Sequence, residues 1–82
     1  RLQPLFMPDL TDLSNNERGV LYHLQQGLSN QAIAERMNVQ PNTVKVHLSR
    51  ACRKAGFNNR TQAARTTRDF LGCGRDLHYR VA

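Results

Sequence analysis

Between Pro41 and Ala55 the chain places Lys45, His47, Arg50, Arg53 and Lys54 with no acid among them, and Asn42, Thr43 and Ser49 alternate with these groups. Ammonium and guanidinium groups bind phosphate oxygens, and a lysine can also reach guanine O6 or N7. Small hydroxyls and amides reach base edges, and a compact apolar group meets a thymine methyl. Val46 stands inside this polar run. The pattern fits no nucleophilic chemistry: His47 and Cys52 are five residues apart and fall on different sides of a helical wheel, so they form no nucleophile–base pair. Cys52 and Cys73 lack C-x-x-C pairing and lack a histidine at zinc-finger spacing. No catalytic, metal or cofactor site is therefore expected. Cys52 falls in an apolar stripe and reads as an inert core thiol.

The charge distribution extends the theme. The net charge is +6 over 82 residues, and no acid lies between Glu35 and Asp69. That window holds Arg36, Lys45, Arg50, Arg53, Lys54, Arg60, Arg65 and Arg68. A one-sided basic zone suits a polyanion. A chain of this length forms one domain with a small core, burying roughly 60% of its unfolded surface. The first residue is Arg1, and the chain reads as a piece of something longer. Neither a membrane span nor a signal-peptide pattern is present. Two cysteines without a framework fit a reducing cytoplasm.

Four helices are expected to position these groups, giving an all-α class. Residues 1–12, with two prolines and no period, read as a linker or the end of an upstream module, with Leu5, Phe6 and Met7 free to dock. Ser14 and Glu17 form the S-x-x-E capping box of a first helix, about 15–26, with Val20, Leu21 and Leu24 on one face and Gly27 as its stop. Ser29 caps a short second helix with Ala32, Ile33 and Met37 inward, ending near Met37 or Asn38. Pro41 suits the first position of a third helix, 41–55, closed by Gly56. Val44, Leu48, Ala51, Cys52 and Ala55 make one apolar stripe about 100° wide. Asn59 and Gln62 offer a capping box to a fourth helix, 60–71, stopped by Gly72, with Ala63, Ala64, Thr67, Phe70 and Leu71 toward the core or a partner. Residues 73–82 show no clear period and read as a tail.

The second and third helices are separated by "NVQ" alone, which forces a steep crossing, the geometry of a helix-turn-helix. On the wheel of the third helix, Val46, Arg53, Asn42, Ser49 and Arg50 lie opposite the apolar stripe, Lys45 lies on one flank, and Thr43, His47 and Lys54 lie on the other. Val46 is thus expected outside the core, and the Thr43–His47–Lys54 flank is expected to suit phosphate.

The segments "LSNNE", "GLSNQAIAERMNV", "TVKVH" and "GFNNRTQAA" resemble the DNA-binding domain of the LuxR/FixJ/NarL (GerE-type) bacterial transcriptional regulators. The likeness covers about residues 13–71. It implies a four-helix domain, 13–72, whose third helix reads the major groove and whose fourth pairs two copies. Matched position by position, it implies base reading by Lys45, Val46 and Ser49 and phosphate contacts from Asn30, Thr43 and Arg60; His47 matches the histidine of T-V-K-x-H, at the groove wall or bracing the helix. Implied partners are double-stranded DNA with a palindromic operator, a second copy, an upstream regulatory domain and RNA polymerase, with no membrane. The chain departs from the family at Asn16, Ala32 and Gln40, where arginine, an acid and Ser or Thr are usual. Ala51 and Ala55 are also small where large aliphatics are usual, and Phe57 is expected to fill that volume. Two other readings stand beside this one: a sigma-factor region 4-like promoter-recognition domain, and a helix-turn-helix kept for protein interaction or dimerisation alone.

Overall fold

The computed structural model describes residues 10–81; Leu5, Phe6 and Met7 lie outside them. Four helices appear in order: α1 (Asn15–Leu24), α2 (Asn30–Met37), α3 (Pro41–Ala55) and α4 (Arg60–Gly72). The described residues contain no strand. α1 lies at the centre and packs against the other three helices, while α2 also packs on α3. The core joins Val20, Leu21 and Leu24 of α1, Ile33 and Ala34 of α2, Val44, Leu48, Ala51 and Ala55 of α3, Ala63 of α4, and Phe57.

Local chemistry sets these boundaries. Ser14 Oγ accepts from the Glu17 N–H at 3.2 Å, and Glu17 Oε1 accepts from the Ser14 N–H at 2.9 Å, so the capping box is complete. α1 stops at Leu24 rather than near residue 26, because Gln26 and Gly27 donate to His23 and Leu24 in tighter i→i+3 bonds before Gly27 turns at φ 86°. Ser29 Oγ caps α2 through the Ala32 N–H. On α2 it is Ile33 and Ala34 that are buried, with Ala32 and Met37 half-buried. Asn59 Oδ1 caps α4, but the returning Gln62 side chain accepts from Asn58 N–H, one residue earlier than a capping box requires. Gly72 is the last residue of α4, and the glycine with positive φ is Gly74, at 83°.

α3 begins at Pro41, and its N-cap Gln40 makes no side-chain bond to the helix. Gln40→Ser is therefore expected to stabilise the domain by about 1 kcal/mol, because a serine oxygen can take an orphan N–H of the first turn. A urea melt showing no shift would mean that Pro41 already fixes the helix start.

The described segments that flank the four helices also enter the core. Leu10 and Leu13 are buried, and Leu77 is 2% exposed in the same core. Two arginines of α4 reach the α1–α2 connection: Arg68 donates to Gln25 O, and Arg60 donates to Leu28 O. They satisfy carbonyls of that connection, Gln25 O at the C-cap of α1 and Leu28 O just before the cap of α2.

Candidate nucleic-acid interface

The α2–α3 unit takes its shape from its turn. Asn38 adopts φ 59°, a left-handed conformation asparagine tolerates, and Val39 N–H closes on Ala34 O at 2.9 Å. Val44 and Leu48 turn into the core beside Ile33 and Ala34, which fixes the opposite face of α3 toward solvent.

That face holds Asn42, Lys45, Val46, Ser49, Arg50 and Arg53, all exposed. Val46 is 41% exposed, so it is outside the core as the wheel predicts. Among the described residues, Lys45, Arg50 and Arg53 make no ion pair. Thr43 and His47 are half-buried on the flank. His47 Nδ1 is buried without a hydrogen-bond partner, and its ring lies near enough to Glu17 to favour that carboxylate's charge.

Asn30 and Arg60 are joined although thirty residues separate them: Arg60 Nη1 donates to Asn30 Oδ1 at 2.6 Å. The bond uses the Asn30 carbonyl and turns its amide nitrogen into a free donor at the start of α2, beside the Arg60 guanidinium. An amide, a guanidinium and a helix N-terminus together form a donor array for an anion.

Lys54 corrects the expectation of a phosphate flank. Its Nζ lies 3.0 Å from Glu17 Oε1 and 3.3 Å from Asp12 O. The Glu17 side chain is 3% exposed, so Lys54 neutralises a buried carboxylate and ties α3 to α1. Burial alone would raise the Glu17 pKa; the Ser14 N–H, the Lys54 ammonium and His47 outweigh it and hold the carboxyl below its ordinary value. The wheel placed Lys54 on the correct flank of α3, and that flank turns out to face α1.

Cys52 is half-buried, and burial pushes its thiol up against the opposing pull of Arg60, which keeps it protonated. Among the described residues no three His, Cys, Asp or Glu side chains cluster to hold a metal ion, and no helix is long and apolar enough to cross a membrane.

This arrangement of a three-residue turn, a basic exposed helix face and an Asn–Arg donor pair coincides with a match to known proteins. The pattern of the GerE family, bacterial regulatory proteins of the luxR family, matches residues 11–67. The chain belongs to the luxR family. It is similar to the DNA-binding transcriptional activator DevR/DosR of Mycobacterium tuberculosis, 46% identical over 55 residues, covering 67% of this chain and 25% of that protein. It is also similar to the HTH-type transcriptional regulator YhjB of Escherichia coli, 43% identical over 56 residues covering 68% of this chain and 28% of that protein. A third relative is the nitrate/nitrite response regulator NarL of Escherichia coli, 38% identical over 56 residues covering 68% of this chain and 26% of that protein. The chain thus spans about a quarter of the length of these relatives. As a luxR-family domain it is a DNA-binding module of transcriptional regulators, and the family is not one of enzymes.

The luxR-family reading of the sequence missed the residues that hold the domain's ends. Asn15, Arg18 and Gly19 on α1 grip residues 77–80. One signal was available: a glycine inside a helix commonly marks a close approach.

Proposed function

We propose that this domain binds duplex DNA sequence-specifically, with the N-terminal half of α3 in the major groove. The observation that carries the reading is Val46, exposed among Asn42, Lys45 and Ser49 on a face that no acid among the described residues neutralises. Lys45 and Ser49 supply polar readout and Val46 an apolar contact, while Arg50 and Arg53 extend the face toward phosphates. Thr43, Asn30 and Arg60 grip the backbone, and His47 stands at the groove wall.

α4 pairs two copies in this reading, because it turns Thr61, Arg65, Arg68 and Asp69 outward. In an antiparallel pair, Arg65 and Asp69, one turn apart and of opposite charge, can pair reciprocally across a two-fold axis. The operator is then palindromic, with half-sites about one helical turn apart. The regulator works in the cytoplasm, behind an upstream regulatory domain and in reach of RNA polymerase.

Selection from random duplexes with a salt titration tests the reading. Affinity should fall linearly in log–log coordinates with salt. Lys45→Ala should weaken the selected site by about 1–3 kcal/mol, roughly 5- to 150-fold, and random duplex much less. Equal losses on both would make Lys45 a backbone contact, and enrichment of no sequence would sink the proposal.

A further inference from the structure

The segment that follows α4 lies beyond the residues matched by the family, which end at 67. It is shaped to return to α1. Gly74 turns at φ 83°, and Asp76 Oδ1 accepts from His78 N–H at 2.9 Å in a turn closed by the left-handed His78, φ 63°. Residues 77–80 then run across α1 and are held at three points. Leu77 enters the core, and its carbonyl accepts from Arg18 Nη1 at 2.9 Å. The Tyr79 ring lies in a notch over Gly19, where an added Cβ would stand 2.5 Å from Tyr79 Cε1. The same ring lies 5.8 Å from Tyr22 and 5.7 Å from His23, which is buried and donates through Nδ1 to Gly19 O. The Asn15 amide makes two bonds to the backbone of residue 80, 2.8 Å to its carbonyl and 2.9 Å from its N–H.

The stretch that holds this strap also holds α3, through neighbouring residues. Arg18 binds Leu77 O with one nitrogen and Leu13 O and Thr11 O with the others. From the same stretch, Asp12 O and the Glu17 carboxylate bind Lys54 of α3. Residues 11–18 therefore take hold of the strap on one side and the recognition helix on the other.

We propose that residues 76–81 are a strap whose closure on α1 fixes the seat of the recognition helix, with Asn15, Arg18 and Gly19 as positioning residues that never touch DNA. The inference rests on reading α3 as the DNA-contacting helix; the coupling itself is measurable without DNA.

Amide hydrogen exchange on the free chain tests it with Gly19→Ala and Asn15→Ala. Alanine suits a helix interior better than glycine, so in Gly19→Ala the helix stays folded while the new Cβ lifts the Tyr79 ring and also presses the flexible end of Met37, 2.9 Å away; Asn15→Ala opens the strap without touching α2. Exchange should rise about tenfold in residues 77–81, and severalfold in residues 11–13 and the last turn of α3, with α2 unchanged in Asn15→Ala. Affinity for the selected duplex should fall about 3- to 10-fold with an unchanged salt slope, since no phosphate contact is lost. An opened strap with unaltered exchange in α3 would overturn the proposal, as would two variants that leave the strap protected. A wild-type chain that binds no duplex sinks the DNA reading, and the exchange result still decides the coupling.

Discussion

Phe57→Ala is expected to remove about 3–5 kcal/mol of folding free energy, the range for deleting a buried aromatic ring. Phe57 is 6% exposed and belongs to the same core as Ala51 and Ala55. Its position comes from the end of α3: Gly56 adopts φ 83°, and both Gly56 N–H and Phe57 N–H close on Cys52 O, at 2.9 and 2.8 Å. This glycine-ended helix terminus throws the following side chain back over the last turn. That turn is lined by Ala51 and Ala55, so little can move in to fill the space the ring leaves. Domains of this size hold a margin of only about 5–15 kcal/mol. The variant should melt on the order of 20 °C lower, at 4–8 °C per kcal/mol. Phe57→Leu, which keeps most of the volume, should lose less than half as much. A denaturant midpoint that barely moves in Phe57→Ala would show that the site collapses without cost.

Lys54→Ala is expected to cost about 2–3 kcal/mol at neutral pH, less than the 3–5 kcal/mol of breaking a fully buried pair. The discount reflects asymmetric exposure, 39% for Lys54 against 3% for Glu17. Lysine could return to water alone; the carboxylate could not, and without Lys54 it keeps only the Ser14 N–H and nearby His47. The pH dependence follows from the lowered Glu17 pKa. A group whose folded-state pKa is depressed contributes stability fully present above its unfolded value, about 4.3, and loses it as pH falls through the folded value. Urea melts of the parent should lose this contribution on acidification below about pH 4.3, while Glu17→Gln should show a flatter acid limb. Parallel acid limbs would place the sensitivity on another carboxylate. A double-mutant cycle between positions 17 and 54 would report the coupling directly.

The third helix, α3, was legible because its signals are local. Pro41 marks its first position, Gly56 its end, and a single stripe separates the core from Val46. The same locality explains the errors. Periodicity assigns Lys54 to a flank but says nothing about which neighbouring helix faces that flank. Residues 77–80 bury Leu77 and half-bury Tyr79 in alternation, too short a run to stand out from sequence, and their partners lie about sixty residues away. Leu10 stayed within an expected linker because two prolines hide a single buried leucine. Asn30 and Arg60 were singled out separately as phosphate contacts; that one orients the other depends on how α4 sits against α1 and so brings Arg60 to the start of α2, a matter of packing.

The Arg18 fork has a consequence for protein engineering. Its Nε and Nη1 hold the carbonyls of Leu13 and Leu77 at 3.0 and 2.9 Å, so the backbone near the first and the last described residues comes within a guanidinium's width at these two points. A unit with neighbouring ends can be spliced into a surface loop of an unrelated host without prying that loop open. Short linkers before residue 10 and after residue 81 would let such a graft carry the whole core with it, Leu10 and Leu77 included.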